Sequence, residues 1–526
     1  MQGLMMDQPL LISGLIRHAE RHHGATEIVS KTVEGKLHRY AYAEAARRAR
    51  RLANALQRLG VRRHERVATL AWNGYRHYEI YYAVAGSGAV IHTINPRLFP
   101  DQIAYIANHA EDRIVFYDTT FAALVEKLKP QVKARFVPLD EEYEKLVESE
   151  SDAFDWPEFD ERTAACLCYT SGTTGNPKGA LYSHRSTMIH AYAAALPDTL
   201  NLSAREVVLP VVPMFHVNAW SLPYSCTMVG AKMVFPGPHL DGKSLYELFE
   251  SEGVTMSAGV PTVWLGLLDY LRKNNLRFST LKSTVIGGSA CPPAMIREFQ
   301  DVYGVQVLHA WGMTEMSPLG TAGTLKAKQA ALPKAQREAI QSKQGRAIFG
   351  VDLRIVDENG KELPWDGKAF GDLQVRGPWV IKGYFKGEGG DPLKDGWFPT
   401  GDVCTIDPEG YIQITDRSKD VIKSGGEWIS SIDLENIAVA HPAIAEAAVI
   451  GVRHPKWDER PIVVAVKKPG QDVSKEEVLK FYEGKIAKWW MPDDVVFVTE
   501  LPHTATGKLS KLTLRQQFKD FRLDQK

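Results

Sequence analysis

Residues 169–179 combine glycines, hydroxyl groups and a lysine in the order Tyr-Thr-Ser-Gly-Thr-Thr-Gly-Asn-Pro-Lys-Gly. Glycines let the main chain approach a polyphosphate closely, and successive N–H groups can form an anion-binding nest. A Walker A loop would place its lysine directly after a glycine and before Ser or Thr. Here Lys178 lies between Pro177 and Gly179. The segment therefore predicts a phosphate-binding loop that differs from the loop of the P-loop NTPases.

Further polar segments follow along the chain. They are Ala-Trp-Gly-Met-Thr-Glu at 310–315, Thr-Gly-Asp at 400–402, Asp-Arg-Ser-Lys-Asp at 416–420 and Thr-Gly-Lys at 506–508. In this order and at this spacing, they resemble the motifs of the adenylate-forming superfamily, which includes acyl-CoA synthetases, luciferases and amino-acid adenylation domains. The resemblance covers essentially the whole chain and extends to bacterial medium- and long-chain fatty-acid-CoA ligases and to methylthiopropionate-CoA ligases.

The resemblance implies an ATP-dependent, AMP-forming acyl-CoA ligase. A carboxylate would attack the α-phosphate of ATP to give an acyl-adenylate and pyrophosphate, and the thiol of CoA would then give acyl-CoA and AMP. Two anions must meet in the first step, which requires cations and preorganised donors around the phosphates. ATP, Mg²⁺ and CoA are the implied cosubstrates and cofactor. We expect CoA to be the acceptor because no carrier domain follows Lys526.

The nucleotide-binding positions that the resemblance implies fall into three groups. The phosphate loop comprises Thr170, Ser171, Gly172, Thr173, Thr174, Gly175 and Lys178. The adenine slot comprises Gly288, Ser289, Ala290, His309, Ala310, Trp311 and Gly312. Asp402 and Arg417 match the residues that hold the ribose hydroxyls. Trp311 stands where a Tyr is more common in this motif, which keeps a flat stacking surface but loses the phenol hydroxyl.

The implied catalytic groups surround the reacting phosphate. Glu315 resembles the magnesium ligand, with Thr170 nearby on the metal or the phosphate, and Thr314 resembles the α-phosphate contact. Magnesium characteristically takes one or two protein ligands together with phosphate oxygens and water. Lys508 matches the essential cation of the adenylation step.

The family uses two states of its C-terminal domain, and Lys419 lies at the hinge position. Lys423 and Trp428 match residues that reach the cleft in one of these states. The sequence thus predicts an N-terminal AMP- and acyl-binding domain at 1–416, a hinge at 417–420 and a mobile lid domain at 421–526. The nearest motif resemblances favour a homodimer.

Residues 213–220 and 259–264 are expected to line the acyl pocket. The candidate substrate-binding residues are His216, Val217, Trp220, Gly259, Val260 and Gly288. Amino-acid adenylation domains usually have an aspartate where this chain has His216, and a buried ammonium group without a partner would be costly. Trp220 resembles the gating tryptophan of bacterial fatty-acyl-CoA synthetases. No cation suited to a dicarboxylate is evident near these segments, so an apolar acid is expected.

Alternatives remain open at this point. A 3-(methylthio)propionate-CoA ligase or an aryl-acid-CoA ligase would share the mechanism, and a luciferase-like enzyme would differ only in its second step. A non-catalytic nucleotide-binding protein would be expected to lack Lys508 or Glu315, and both are present. His216 is either a general base or a residue that shapes the pocket.

Composition narrows the class of protein. The chain has 526 residues and zero formal net charge, so it lacks the basic excess of a nucleic-acid-binding protein. Five cysteines without regular spacing are expected to be buried thiols in a reducing compartment. The amino terminus lacks a cationic leader, and no apolar run approaches the roughly 20 residues of a membrane span. We expect a cytoplasmic enzyme.

The elements that position these residues follow from the apolar pattern. Short apolar runs alternate with helical segments up to about residue 310, which predicts an α/β fold with mostly parallel sheets. An amphipathic helix at 42–59 carries Arg47, Arg48, Arg50 and Arg51, interpreted as a solvated face. The acidic stretch 141–161 is predicted to be a surface connection and 322–344 an exposed helical insertion. From 351 a β-rich subdomain is expected, followed after the hinge by a small α+β domain with a helix at 474–489.

Overall fold

The computed structural model describes residues 1, 3–170, 176–418, 420–424, 427–503 and 509–523, and at 423, 427 and 428 it describes the main chain. The strands of the N-terminal half are Glu27–Lys31 (β1), Leu37–Ala41 (β2), Arg66–Leu70 (β3), Val90–Thr93 (β4), Asp112–Tyr117 (β5), Arg135–Pro138 (β6), Ala164–Tyr169 (β7), Gly179–Ser183 (β8), Val207–Pro210 (β9), Lys232–Phe235 (β10), Met256–Gly259 (β11) and Ser283–Ile286 (β12). The later strands are Gln306–Gly312 (β13), Leu319–Ala322 (β14), Arg346–Ala347 (β15), Asp352–Val356 (β16), Gly371–Arg376 (β17), Phe398–Ile406 (β18), Ile412–Arg417 (β19), Ile422–Ser424 (β20), Glu427–Ile429 (β21), Ile444–His454 (β22), Asp458–Lys467 (β23) and Asp494–Phe497 (β24).

Helices connect these strands. The α-helices are Ile12–His23 (α1), Tyr42–Arg58 (α2), Tyr75–Gly86 (α3), Pro100–Ala110 (α4), Ala122–Leu128 (α5), Glu141–Glu148 (α6), His184–Ala195 (α7), Leu222–Val229 (α8), Gly242–Glu252 (α9), Pro261–Asn274 (α10), Pro293–Arg297 (α11), Ala327–Ala330 (α12), Lys334–Gln341 (α13), Ser431–Val439 (α14), Lys475–Tyr482 (α15) and Lys511–Gln517 (α16). Short 3₁₀ segments occur at Thr119–Phe121, Thr314–Met316, Phe385–Gly387 and Lys488–Trp490, and Glu298–Val302 is a π-helical turn.

Two mostly parallel sheets form the N-terminal part of the molecule. One has the strand order β6-β5-β3-β4-β7-β8, and only its β7–β8 pair is antiparallel. The other has the order β15-β14-β13-β12-β11-β9-β10-β1-β2, with parallel pairing from β13 to β1. The predicted α/β class with mostly parallel sheets is confirmed.

Helices α3 and α8 join the two large sheets through buried tyrosines. The hydroxyl of Tyr78 lies 2.7 Å from that of Thr227, and the hydroxyl of Tyr82 donates to the carbonyl of Pro223 at 2.9 Å. Both tyrosines are fully buried. Each hydroxyl therefore has a partner, as burial of a phenol requires, and the rings fill the space between the sheets.

The interpretation of Arg48 as part of a solvated face is wrong. Its side chain is buried, and it donates to Glu79 at 2.7 and 3.2 Å and to Glu144 at 2.7 Å. Helices α3 and α6 cover this side of α2, and a buried guanidinium persists only when carboxylates compensate its charge. Arg47 on the same helix is exposed, as expected.

The acidic stretch is also more ordered than predicted. Its first part forms helix α6, whose N-terminus is capped by the Asp140 side chain accepting from the Glu142 N–H at 2.8 Å. Tyr143 and Val147 of α6 are buried. Tertiary packing against α2 thus stabilises a helix that the local charge density did not indicate.

The expected β-rich subdomain, helical insertion and small α+β unit are present in the C-terminal third, with one helix boundary displaced. Strands β16 to β19 form a four-stranded antiparallel sheet, and β20 to β24 form a five-stranded sheet with its own apolar cluster around Leu434 and Tyr482. Helices α12 and α13 lie in the predicted insertion, and α13 buries none of its residues. The predicted helix at 474–489 ends at Tyr482, because Glu483 leaves the helical region with a ψ of 131° and Gly484 follows with a φ of +73°. Among the described residues, no helix is long and apolar enough to cross a membrane.

Candidate active site

A cleft with a volume of about 660 Å³ lies at the carboxyl ends of strands β9, β11, β12 and β13. Open α/β sheets generally bind ligands at this edge of the strands. Thr170, after strand β7, and residues 509–512 of the C-terminal domain also line it. Of the predicted site residues, those that line the cleft are Thr170, Lys178, His216, Val217, Trp220, Val260, Gly288, Ala310, Trp311, Gly312, Thr314, Glu315 and Arg417.

Other predicted positions do not line the cleft. Gly259 faces the opposite side of strand β11, where a Cβ would lie 2.8 Å from the Trp264 ring, because successive strand residues point to opposite faces. Ser289 and Asp402 do not line the cleft, and Ala290 lines a separate cavity with Cys291. Ser171, Gly172, Thr173, Thr174, Gly175, Lys419 and Lys508, together with the side chains of Lys423 and Trp428, lie outside the described residues.

His309 supports the adenine slot from behind. Its Nε2 accepts from the Cys291 N–H at 3.3 Å, and its Nδ1 lies 3.1 Å from the carbonyl oxygen of Ser342. Burial lowers the pKa of His309 to about 4, so the ring is neutral at physiological pH. Its position makes it a support for the 288–291 segment rather than a direct contact in the cleft.

The two ends of the phosphate-binding loop are joined by hydrogen bonds. The Thr170 N–H donates to the Lys178 carbonyl at 2.9 Å, and the Lys178 N–H donates to the Thr170 Oγ1 at 3.1 Å. The loop between them is thus closed at its base by the β7–β8 hairpin. The Lys178 ammonium group lies 5.0 Å from the centre of the Tyr384 ring.

Tyr384 links the phosphate loop to the predicted metal ligand, although it belongs to none of the sequence motifs. Its hydroxyl donates to the Glu315 Oε1 at 2.8 Å, while its ring faces Lys178. Burial, followed by the charge of Glu315, raises the pKa of Tyr384 well above its ordinary value, so the phenol keeps its proton. Only the proximity of Gly383-Tyr384 to the 400–402 motif could have drawn attention to it, and that signal is weak.

Hydrogen bonds fix both the side chain and the main chain of Glu315. Its carboxylate is buried and its carbonyl oxygen accepts from the Ile381 N–H at 2.9 Å. The carbonyl of the preceding Thr314 accepts from the Tyr182 hydroxyl at 2.5 Å. The described residues contain no cluster of three or more His, Cys, Asp or Glu side chains that could hold a metal. A single carboxylate suits Mg²⁺, which keeps water and phosphate oxygens as its other ligands.

The ribose positions form a connected pair next to Trp311. The Asp402 carboxylate lies 3.0 Å from the Arg417 Nε and accepts from the Trp311 indole N–H at 3.0 Å. Arg417 also donates to the Thr400 carbonyl at 3.2 Å. The indole N–H of Trp311 thus connects the predicted adenine slot to the predicted ribose residues.

The acyl segment contains an unusual backbone. Val217, Asn218, Ala219, Trp220 and Ser221 all have positive φ, between 45° and 67°, and none of them is glycine. We call Val217–Ser221 the left-handed turn. A non-glycine residue in this conformation costs about 1–2 kcal/mol, so the surrounding contacts must offset a substantial strain. Such clusters of strained residues occur mainly at functional sites.

The Trp220 ring packs against a glycine pair. A Cβ at Gly287 would lie 3.3 Å from the Trp220 Cη2, and one at Gly288 would lie 4.0 Å from its Cζ2. The two glycines let the indole approach the main chain that leads to the adenine slot. Trp220 and Val260 both line the cleft beside this glycine pair.

The expectation that no cation lies near the acyl segments is wrong. The Arg97 guanidinium lines the cleft at 5.6 Å from the centre of the Phe215 ring and 5.8 Å from that of Trp72. Burial lowers the pKa of Arg97. Arg97 precedes the acyl motif by more than a hundred residues, so the spacing of motif residues could not indicate that it lies in the cleft.

Comparison with known proteins decides the family. The profile of AMP-binding enzymes matches residues 15–385, and that of the AMP-binding enzyme C-terminal domain matches residues 433–508. The chain belongs to the AMP-binding enzyme family. It is 55% identical to a 3-methylmercaptopropionyl-CoA ligase of Ruegeria lacuscaerulensis, over 99% of both chains. It is 52% identical to a medium-chain-fatty-acid–CoA ligase of Ectopseudomonas oleovorans, over 99% of this chain and 98% of the other.

The structural likeness agrees with the family assignment. ATP-bound MatB from Rhodopseudomonas palustris superposes with a TM-score of 0.83 at 28% identity, covering 97% of this chain and 99% of the other. The protein is an AMP-forming acyl-CoA ligase that uses ATP, Mg²⁺ and CoA. When bound, Mg²⁺ neutralises charge on the ATP phosphates. The predicted magnesium ligands Glu315 and Thr170 both line the cleft.

The chain's own residues provide the rest of the nucleotide end. Lys178 brings a positive charge to the phosphate loop, and Tyr384 fixes the orientation of the Glu315 carboxylate. The predicted ribose residues Asp402 and Arg417 form an ion pair, and Trp311 lines the cleft. A preorganised arrangement of this kind stabilises charge without reorganisation during the reaction.

Proposed function

We propose that this ligase activates unbranched apolar monocarboxylic acids of short to medium length, including thioether acids. The supporting observation is the wall of the acyl end, where Val217, Trp220, Val260 and Val263 line the cleft beside Leu222. Apolar side chains without a paired carboxylate suit an uncharged acyl tail, because a buried ammonium group would remain uncompensated. The names of the two relatives above are consistent with this substrate class.

A thioether acid has a specific partner in this wall. Sulfur in a thioether gains about 0.3–1.5 kcal/mol from contact with an aromatic ring. Trp220 is the aromatic ring of the wall, and it lies next to Gly288 at the boundary with the nucleotide end. We therefore propose that 3-(methylthio)propionate is a better substrate than pentanoate, which has the same length with a methylene in place of the sulfur.

The roles of several residues belong to the same proposal. We propose Lys508 as the cation of the adenylation step, Lys419 as the hinge, and Lys423 and Trp428 as residues of the thioester-forming state. His216 lines the cleft, where it is a candidate general base or a pocket-shaping residue. A homodimer and a cytoplasmic location are likewise proposed. The five cysteines are free and buried, which suits a reducing compartment.

The test is pyrophosphate release from Mg·ATP with a panel of acids, with acyl-CoA detected by mass. The panel pairs 3-(methylthio)propionate with pentanoate, adds octanoate, dodecanoate and benzoate, and includes hexanedioate because Arg97 lines the cleft. We expect CoA-dependent turnover with the unbranched monocarboxylates and a higher kcat/KM for the thioether than for pentanoate. A preference for benzoate or hexanedioate would refute the proposed substrate class.

A further inference from the structure

A surface segment at residues 384–390 packs against the β7–β8 hairpin that closes the phosphate-binding loop. The Tyr384 ring centre lies 5.0 Å from the Lys178 ammonium group. Gly389, near the end of the segment, approaches the same ammonium group, because a Cβ added to this glycine would lie 2.8 Å from the Lys178 Nζ. The segment therefore contacts the charged end of Lys178 from two positions.

Helix α4 holds this segment in place through Glu388. The Glu388 Oε1 accepts from the Tyr105 hydroxyl at 3.0 Å and lies 3.5 Å from the His109 Nε2. The other ring nitrogen of His109, Nδ1, lies 2.6 Å from the hydroxyl of Tyr169 at the end of β7. These contacts fix the distance between the 384–390 segment and the strand from which the phosphate-binding loop begins.

The Lys178 ammonium group is held without a carboxylate. Among the described residues, its contacts are the Tyr384 ring and the main chain at Gly389. A cation that is held by an aromatic face and a glycine keeps its charge available for an anionic ligand. The phosphates of ATP are the anions that this ligase brings to the cleft.

Gly389 combines a special backbone conformation with a close contact. Its φ is +76°, which glycine adopts readily. A separation of 2.8 Å from a Cβ would also be shorter than the about 3.5–4.0 Å of a favourable non-bonded contact. Because Nζ is the end of a flexible side chain, an added methyl group would displace the ammonium group rather than the main chain.

Two neighbouring glycines have the same conformation without this contact. Gly387 and Gly390 have φ values of +72° and +71°, and a Cβ on either would meet nothing within 4 Å. All three glycines are exposed. The segment thus separates the effect of a positive φ from the effect of a contact with Lys178.

We propose that Gly389 is a positioning residue for the Lys178 ammonium group. By letting the main chain approach Nζ closely, it fixes where this cation meets the phosphates of ATP. The inference rests on the predicted role of residues 169–179 as the phosphate-binding loop and names a residue outside the sequence motifs that acts on it.

The test is the KM for ATP in Gly389→Ala, measured by pyrophosphate release with saturating CoA and the acid of the panel above that gives the highest kcat/KM. Misplacement of a positioned group by about 1 Å can cost about 10²-fold in rate, so we expect a smaller displacement to raise the KM for ATP by about tenfold. The KM for the acid should stay as in the wild type. The inhibition constant of adenosine, which carries no phosphate, should also stay unchanged.

Gly390→Ala is the matched control, because it introduces the same residue at nearly the same φ without a contact to Lys178. Its KM for ATP should stay as in the wild type. Gly389→Asn provides a second variant, since asparagine tolerates a positive φ and carries the same Cβ, and it should also raise the KM for ATP. In a Lys178→Met background, which lacks the ammonium group, Gly389→Ala should change the KM for ATP no further.

The outcomes separate the role of Gly389 from the role of the loop. An unchanged KM for ATP in Lys178→Met would refute the phosphate-binding role of Lys178. A raised KM in Lys178→Met, together with an unchanged KM in folded Gly389→Ala and Gly389→Asn, would overturn only the positioning role of Gly389. An equal rise in Gly390→Ala, or an equal rise in the inhibition constant of adenosine, would overturn it as well, because backbone strain or a general loosening of the nucleotide end would then explain the effect.

Discussion

Tyr384 connects two charged side chains of the cleft that lie far apart in sequence. Its hydroxyl fixes one oxygen of Glu315 and its ring faces the Lys178 ammonium group. A carboxylate that holds a metal is usually oriented by a hydrogen-bonding partner, and loss of such a partner typically weakens metal affinity or activity by 10–100-fold. Tyr384 therefore orients the carboxylate of the predicted magnesium ligand.

We expect Tyr384→Phe to raise the Mg²⁺ concentration for half-maximal pyrophosphate release by about tenfold, because the Glu315 carboxylate loses its fixed orientation. The measurement is a Mg²⁺ titration at saturating ATP and acid. Tyr246→Phe is the matched control, since that half-buried hydroxyl donates to the Arg277 carbonyl at 3.2 Å away from the cleft. An unchanged Mg²⁺ dependence in Tyr384→Phe would contradict this role.

At the scale of elements, apolar runs predicted strands well where the strands are buried on both faces. For example, the short apolar runs at 164–169 and 283–286 form strands β7 and β12. The left-handed turn and helix α6 could not be predicted, because tertiary contacts rather than local propensity stabilise them. In α6 the decisive contact is the pairing of Glu144 with Arg48 of α2.

Removal of Arg48 should destabilise the packing of helices α2, α3 and α6. Arg48→Met leaves Glu79 fully buried without its cation, a change that costs about 3–5 kcal/mol of unfolding free energy. Arg47→Met on the exposed face of the same helix should stay within about 0.5 kcal/mol of the wild type. Denaturant unfolding of both variants measures the difference, and equal stability of the two would contradict the structural role of Arg48.

The pH dependence of this variant follows from Glu79. Burial raises the pKa of Glu79, and Arg48 opposes that rise. Without Arg48 the folded-state pKa rises further above its unfolded value, so the folded protein binds the proton more tightly than the unfolded chain. The loss of unfolding free energy in Arg48→Met, relative to the wild type, should therefore shrink as pH falls from about 7 toward about 5 and grow as pH rises.

At the scale of the whole molecule, the order of the polar motifs was enough to predict the family and the reaction, and thirteen of the predicted site residues line the cleft. Thr170 and Gly288 follow strands β7 and β12, and Trp311 lies near the end of β13. The strand order therefore brings these motifs to the carboxyl ends of parallel strands, where the cleft lies. Arg97 and Tyr384 could not be placed from sequence, because neither belongs to a motif and only the folded chain brings them to the cleft. Gly259 is the opposite case, because it belongs to a predicted pocket segment but does not line the cleft. It faces Trp264, whereas its neighbours Ala258 and Val260 line the cleft.

The central claim is that a carboxylate oxygen of the acid attacks the α-phosphate of ATP. The most direct measurement uses 3-(methylthio)propionate labelled with oxygen-18 in both carboxylate oxygens, with ATP, Mg²⁺ and CoA, and mass analysis of the nucleotide and pyrophosphate. Collapse of an acyl-adenylate leaves one carboxylate oxygen on the phosphate, so AMP should carry one labelled oxygen for each acyl-CoA formed, and pyrophosphate should carry none. Unlabelled AMP, or label in inorganic phosphate with ADP as the product, would contradict the account.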